Sequence, residues 1–118
     1  MRLYGKSTCT TCRDAKAFLS RLGADFDWRD YGKHPFSAAE LRKLTGRRKI
    51  DEFINPRSTP YRNLDLANRK LSRVEAIELL LEEVNLLKRP LLVVGSEYVF
   101  GFDRQRYEEL VCASGGCR

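Results

Sequence analysis

The chain has 118 residues, of which 42% are hydrophobic and 32% charged, and its 22 lysines and arginines outnumber 16 aspartates and glutamates to give a net charge of +6. This size and composition are typical of one globular domain and exclude a disordered chain. The positive charge favours anionic partners, whether small oxyanions, nucleic acid or acidic protein surfaces, without choosing among them.

The expected cellular compartment is inferred from the lack of a recognisable membrane-spanning run or secretory signal in the sequence. No apolar run approaches the roughly 20 residues that span a bilayer, and the start of the chain turns polar after Tyr4, unlike a secretory signal. We therefore expect a cytoplasmic protein with no membrane contact. Structural disulfides are not expected in that reducing compartment, so the C-x-x-C pair of Cys9 and Cys12 indicates redox or metal chemistry.

The first half of the chain predicts a strand, a helix and a second strand. Residues 2–4 form a short strand candidate. Over residues 11–22 the apolar side chains recur at helical spacing on one face, and Gly23 stands where a helix C-cap belongs. Residues 26–31 alternate as a strand does.

A helical stretch follows. Ser37 and Glu40 form a capping box that opens a short helix ending at Gly46. We expect residues 47–71 to be irregular, because they contain two X-Pro breakers. Ser72 and Glu75 form a second capping box, which opens a helix whose inward-facing residues are predicted to be Val74, Ile77, Leu80, Leu81 and Val84.

The last part predicts a hairpin and a helix. Residues 91–94 are a fully apolar strand, Gly95-Ser96 suits a two-residue turn, and residues 97–102 return as the antiparallel partner. Asp103 caps a final helix with Tyr107, Leu110 and Val111 on one face. Residues 113–118 are predicted to be a flexible tail.

The order of these elements predicts the fold class. A β-α-β unit followed by a β-hairpin and a helix makes a four-stranded mixed sheet, which is the α/β thioredoxin-like topology. We expect a single domain over residues 1–112, with a helical insertion over about residues 35–85 between its βαβ and ββα halves.

Cys9 is the predicted nucleophile. It follows the first strand and begins the first helix, where unpaired amides and the helix dipole stabilise a thiolate. Cysteines at such positions have pKa values of roughly 3.5–7.5, against a free value near 8.5. Cys12 lies one helical turn further on and can resolve a mixed disulfide formed on Cys9.

Two other interpretations of the cysteines remain open. Cys12 can be a buried structural thiol, or the pair can be half of a zinc site completed by Cys112 and Cys117, whose C-x4-C spacing is loose. No His/carboxylate metal cluster and no Gly-rich phosphate loop appears. We expect no bound metal.

Pro90 and three arginines complete the candidate site. Pro90 must stand at the start of its strand because it lacks an amide. In a thioredoxin fold this position holds a cis proline beside the reactive cysteine, whereas an ordinary trans proline is the alternative. Arg89 adjoins Pro90, Arg57 lies in a loop and Arg13 follows Cys12; a guanidinium suits oxyanions and carboxylates. His34 is interpreted as a loop residue.

Several segments together resemble the arsenate reductase family in its glutaredoxin-like branch, which includes Spx-like regulators. They span nearly the whole chain: Leu3-Tyr-Gly5, Cys9-Thr-Thr-Cys-Arg13, Asn55-Pro-Arg-Ser-Thr-Pro-Tyr-Arg62, Lys88-Arg-Pro-Leu-Leu92 and Val99-Phe-Gly-Phe-Asp103. The resemblance implies a thioredoxin fold with a helical insertion, a catalytic thiol at Cys9, a cis Pro90 and anion-facing roles for Arg57 and Arg89.

The resemblance implies two functions. The first is a thiol-dependent oxidoreductase that acts on a disulfide or a small oxyanion, holds no tightly bound cofactor, and takes electrons from glutathione, glutaredoxin or thioredoxin. The second is an Spx-like redox sensor that binds the RNA polymerase α subunit, with Arg47-Arg-Lys49 as a candidate docking patch, and does not bind DNA directly. Arsenate-reducing members carry an arginine near Gly101, so we expect weak or no arsenate reduction here.

Overall fold

The computed structural model describes residues 1–115, which form two compact units. The first comprises Met1–His34 and the described residues from Arg89 onward, and we call it the sheet unit. The second, Pro35–Lys88, we call the helical unit. The domain limits inferred from sequence, 1–112 with an insertion over 35–85, stay predictions. Of the predicted tail, Ala113 still belongs to the last helix, and residues 116–118 lie outside the described residues.

The sheet unit contains a four-stranded mixed sheet in the order β2-β1-β3-β4. Strand β1 pairs in parallel with β2 and antiparallel with β3, which pairs antiparallel with β4. This arrangement confirms the predicted thioredoxin-like fold class. The strands are β1 (Arg2–Gly5), β2 (Asp27–Asp30), β3 (Leu91–Val94) and β4 (Glu97–Phe100).

The helices of the described residues are α1 (Thr10–Arg21), α2 (Ala38–Thr45), α3 (Thr59–Asn63), α4 (Arg73–Glu82) and α5 (Arg104–Ala113). In the sheet unit, α1 and α5 pack together on the sheet, because each presents a face of buried apolar residues. The core that they form with the strands consists of Leu3, Ala15, Leu19, Leu92, Val99, Tyr107, Leu110 and Val111. This core holds β1 and α1, and hence the loop between them, in fixed relation.

Local capping explains where several helices begin. The Ser37 hydroxyl accepts a hydrogen bond from the Glu40 amide at 3.1 Å, and the Glu40 carboxylate accepts one from the Ser37 amide. Ser72 and Glu75 make the same reciprocal pair at the start of α4. Both predicted capping boxes are therefore confirmed, as is the Asp103 cap, which accepts from the Arg106 amide.

The helical unit differs from the prediction at two places. Residues 47–71 were expected to be irregular, but they contain α3 and two short 3-10 turns. Ser58 caps α3 by accepting from the Tyr61 amide, and a proline near its start is compatible with the first turn. The prediction that Val74 faces inward is wrong, since it is 67% exposed. With Ser72 as the N-cap, the buried stripe of α4 instead runs through Ala76, Ile77 and Leu80.

None of the helices described over residues 1–115 has the length and hydropathy that a membrane crossing requires.

Candidate functional site

Cys9 is the N-cap residue of α1, in an extended conformation with φ −90° and ψ 119°. The three-residue loop from Lys6 to Thr8 carries the chain from β1 to this position, and the Cys9 amide donates to the Lys6 carbonyl at 3.0 Å. The thiol is partly exposed. Helix geometry thus presents the Cys9 sulfur to solvent at the positive end of α1.

The surroundings of Cys9 favour its thiolate. Burial alone raises the pKa of the Cys9 thiol, but polar contacts from the backbone and thiol of Cys12, together with the contact and charge of Arg89, lower that pKa below its ordinary value. The neutral thiol does not complete a capping hydrogen bond. The stabilising contacts are therefore those that strengthen when the sulfur carries a negative charge.

Cys12 has the opposite environment, although it lies only one turn away. It is fully buried, and burial raises the pKa of its thiol to about 12, with the neighbouring Cys9 sulfur acting in the same direction. Gly5 permits this packing, because a Cβ at that position would lie 2.8 Å from the Cys12 sulfur. Cys12 is thus held as a neutral thiol beside Cys9.

Arg89 and Pro90 meet the cysteines from the start of β3. The Arg89–Pro90 peptide bond is cis, and the Pro90 carbonyl accepts from the Gly101 amide at 2.8 Å. The guanidinium of Arg89 lowers the pKa of Cys9 through a polar contact and through its charge. Its Nε is buried and has no hydrogen-bond partner among the described residues. The geometry therefore places a cation with an unused donor beside the thiol.

Tyr31 is a site residue that the sequence did not single out. Its side chain is 1% exposed. Burial raises the pKa of its phenol. The charge of Arg89 lowers that pKa, whereas the two cysteine thiols raise it. Tyr31 therefore keeps a neutral hydroxyl in the same cluster as the two thiols and the guanidinium. Its position at the end of β2 was visible in the sequence, but its proximity to Cys9 depends on strand pairing.

Comparison with known proteins agrees with this geometry. The family model of the ArsC family matches residues 4–110. The chain belongs to the ArsC family. Its relatives include YusI of Bacillus subtilis, an uncharacterised protein that is 32% identical, with 92% of this chain and 96% of YusI covered.

Two further relatives carry functional names. The global transcriptional regulator Spx of Streptococcus mutans is 30% identical, with 86% of this chain and 75% of Spx covered. A solved structure described as a possible arsenate reductase, also from Streptococcus mutans, is 36% identical, with 86% and 89% covered and a TM-score of 0.71. The ArsC family relationship thus leads both to thiol-dependent oxidoreductase-like proteins and to regulators.

The remaining predicted site residues of this ArsC-family chain lie as follows. Arg13 is exposed on α1, and its guanidinium donates to the Thr10 hydroxyl at 3.4 Å. Arg57 belongs to the helical unit, where its side chain is exposed and its backbone amide donates to Asn55 Oδ1 at 3.0 Å. The anion-binding roles of Arg13, Arg57 and Arg89 stay predictions. His34 is exposed, and its carbonyl accepts from Arg29.

The structure does not support the zinc alternative, because Cys112, one of its proposed ligands, is disulfide-bonded. Over residues 1–115, no group of three or more histidine, cysteine, aspartate or glutamate side chains is arranged to hold a metal ion. Cys112 is exposed on α5. Cys117, which that alternative also requires, lies outside the described residues.

Proposed function

We propose that this protein is a thiol–disulfide oxidoreductase in which Cys9 is the nucleophile and Cys12 the resolving thiol. The observation that carries the proposal is the difference between two adjacent thiols. The pKa of Cys9 is lowered at a partly exposed helix start, whereas that of Cys12 is raised to about 12 by burial. Cys9 therefore forms the nucleophilic thiolate more readily, whereas Cys12 stays protonated until a mixed disulfide has formed on Cys9.

The proposed reaction has two exchange steps. In the first, the Cys9 thiolate attacks a sulfur of the substrate disulfide, forms a mixed disulfide and releases one substrate thiolate. In the second, Cys12 loses its proton to the released thiolate and attacks the Cys9 sulfur, which releases the second substrate sulfur as a thiolate and leaves a Cys9–Cys12 disulfide. Two electrons pass from the protein to the substrate. An external thiol, glutathione or a glutaredoxin or thioredoxin, returns the two electrons, and no tightly bound cofactor is required.

Arg89 supports an anionic substrate in this scheme. Its guanidinium lowers the pKa of Cys9 by contact and by charge, and the same cation would attract a carboxylate or an oxyanion beside Cys9. Arg57 and Arg13 are proposed as further contacts to the same substrate. This chemistry operates in a reducing compartment, which agrees with the cytoplasmic location inferred from sequence.

Turnover of disulfides by the purified protein tests the proposal. With glutathione, glutaredoxin or thioredoxin as reductant, we expect the wild-type protein to reduce a mixed-disulfide substrate repeatedly. Cys9→Ser should abolish turnover, and Cys12→Ser should trap the mixed disulfide on Cys9, which mass spectrometry detects. A Cys112→Ser variant serves as the control and should retain activity. Equal turnover by wild type and Cys9→Ser would contradict the proposal.

A second candidate function is a redox-sensing regulator. The similarity to the global transcriptional regulator Spx favours it, and the same two thiols would then form a sensing disulfide. In this version the partner is the RNA polymerase α subunit. A pull-down of purified α subunit by the reduced and the oxidised protein separates the candidates. Redox-dependent binding without disulfide turnover would favour the regulator, whereas turnover without binding would favour the enzyme.

A further inference from the structure

Asp30 is a buried carboxylate that no part of the proposed chemistry uses. It is the last residue of β2 and is 7% exposed. An ionised carboxylate is costly to remove from water unless hydrogen bonds replace the lost solvation. An aspartate that is almost fully buried beside the loop between β1 and α1 must therefore have hydrogen-bond partners that compensate for the lost solvation.

Three backbone amides supply the hydrogen bonds to this carboxylate. Oδ1 accepts from the amides of Gly32 at 2.9 Å and Lys33 at 3.2 Å, and Oδ2 accepts from the Ser7 amide at 3.1 Å. Burial raises the pKa of the Asp30 carboxyl, but the Ser7 side chain and the backbone amides of Ser7, Lys33 and Gly32 outweigh it and lower that pKa. Asp30 is thus ionised at neutral pH and acts purely as an acceptor.

The two oxygens have different tasks. Oδ1 closes the turn that follows β2, within three residues of Asp30 itself. Oδ2 reaches 23 positions back in the chain, to the loop between β1 and α1. Ser7 lies two residues before Cys9 in that loop. The Asp30 side chain therefore links the loop that carries Cys9 to the neighbouring strand β2.

The register of the sheet makes this contact possible. Gly5 of β1 pairs in parallel with Asp30, and the Tyr31 amide donates to the Gly5 carbonyl at 3.1 Å. Beyond Gly5 the sheet ladder ends, so the loop leading to Cys9 has no further strand partner. The Asp30–Ser7 bond extends the attachment by two residues toward the thiol.

We propose that Asp30 is a positioning residue for Cys9: through the Ser7 amide it fixes the loop so that the sulfur stays at the start of α1, facing Cys12 and Arg89. The proposal rests on the proposed thiol chemistry of Cys9. Loss of the Ser7 bond loosens the loop between β1 and α1, the sulfur loses part of the alignment that favours its thiolate, and its pKa rises toward the ordinary thiol value of about 8.5.

Asp30→Asn tests this role with little change in shape. An amide keeps one acceptor oxygen but replaces the other with a donor, so it cannot bond both the local turn and Ser7. We expect faster hydrogen exchange at the Ser7 amide, a higher pKa of Cys9 in a pH profile of iodoacetamide alkylation, and, at a pH below that pKa, alkylation slowed by up to about threefold for each pKa unit gained. Asp27→Asn, on the same strand with its side chain 81% exposed, is the matched control and should change none of these.

A folded Asp30→Asn protein with the wild-type pKa at Cys9 would overturn the proposal. If that variant does not fold, exchange of the Ser7 amide in the wild-type protein decides: slow exchange supports the bond, and the rate of an unprotected amide refutes it. Since these measurements need no substrate, they remain informative if disulfide turnover fails. A wild-type protein without turnover but with the Asp30 effect intact would refute the proposed function alone.

Discussion

Replacing Arg89 with alanine is expected to raise the pKa of the Cys9 thiol, because the change removes the cation that acts on that sulfur. Arg89 lowers that pKa through both a polar contact and its charge. A cation within about 4–6 Å typically lowers the pKa of an acid by 1–3 units. Because Cys9 is partly exposed and solvent screens the pair, the rise should be smaller than for a fully buried pair.

The expected change in reactivity is smaller than the change in pKa. A rise of about one unit reduces the thiolate fraction about tenfold at a pH below both pKa values. The remaining thiolate is about threefold more nucleophilic, because reactivity rises with basicity with a slope of about 0.4–0.5. At a pH below the pKa of Cys9, the net effect is therefore an alkylation slowed by at most about threefold for each unit by which the pKa rises.

The assay is alkylation by iodoacetamide as a function of pH, with Cys9 followed by peptide mass spectrometry. Arg89→Lys keeps the charge without the planar fork and should give an intermediate pKa. Arg13→Ala removes an exposed cation from α1 and is the control, expected to leave the pKa of Cys9 unchanged. An unaltered pKa in Arg89→Ala, or an equal rise in Arg13→Ala, would refute the reasoning.

Three further predictions concern packing, pH and substrate. Gly5→Ala should destabilise the fold by about 1–3 kcal/mol, since its Cβ would overlap the Cys12 sulfur; an unchanged urea midpoint would contradict this. The pKa values of Cys12, Tyr31 and Tyr107 are all raised by burial, so the fold favours their neutral forms. Their contribution to the free energy of unfolding should be fully present below the pKa of an unfolded thiol and should decrease as pH rises above about 9. Equal urea midpoints at about pH 8 and pH 11 would contradict this pH dependence. Arsenate reduction with glutathione and glutaredoxin should be weak or absent, because Gly101 offers no guanidinium, and robust turnover would show this position to be dispensable.

The elements of this fold that local chemistry determines could be predicted from the sequence. Ser37 and Ser72 each stand three residues before a glutamate, and each begins a helix in the structure. The Gly95-Ser96 turn joins β3 and β4 with Val94 opposite Glu97, as a two-residue hairpin requires. These features depend on residues close together in the chain, where spacing alone carries the information.

Positions that depend on distant contacts were not predicted. The predicted inward face of α4 was right at Ile77 and Leu80 but wrong at Val74, because apolar periodicity does not show which first-turn residue meets the core. Tyr31 and Asp30 looked like ordinary strand-end residues. Their relation to the cysteines depends on the parallel register that sets Gly5 beside Asp30, which a single sequence does not reveal.

The difference between Cys9 and Cys12 shows how the fold, more than the motif, determines reactivity. Both side chains are thiols, and only two threonines separate them in the sequence. The C-x-x-C spacing by itself does not distinguish their reactivity. The sheet ends at Gly5, which leaves room for the Cys12 sulfur against β1 and deprives that thiol of solvent. The chain then turns at Ser7, held by Asp30, and places Cys9 ahead of the helix, where the Cys12 backbone and Arg89 stabilise a negative charge. Exchange therefore has a direction: the outer sulfur attacks first, and the inner thiol can act only after a mixed disulfide has formed beside it.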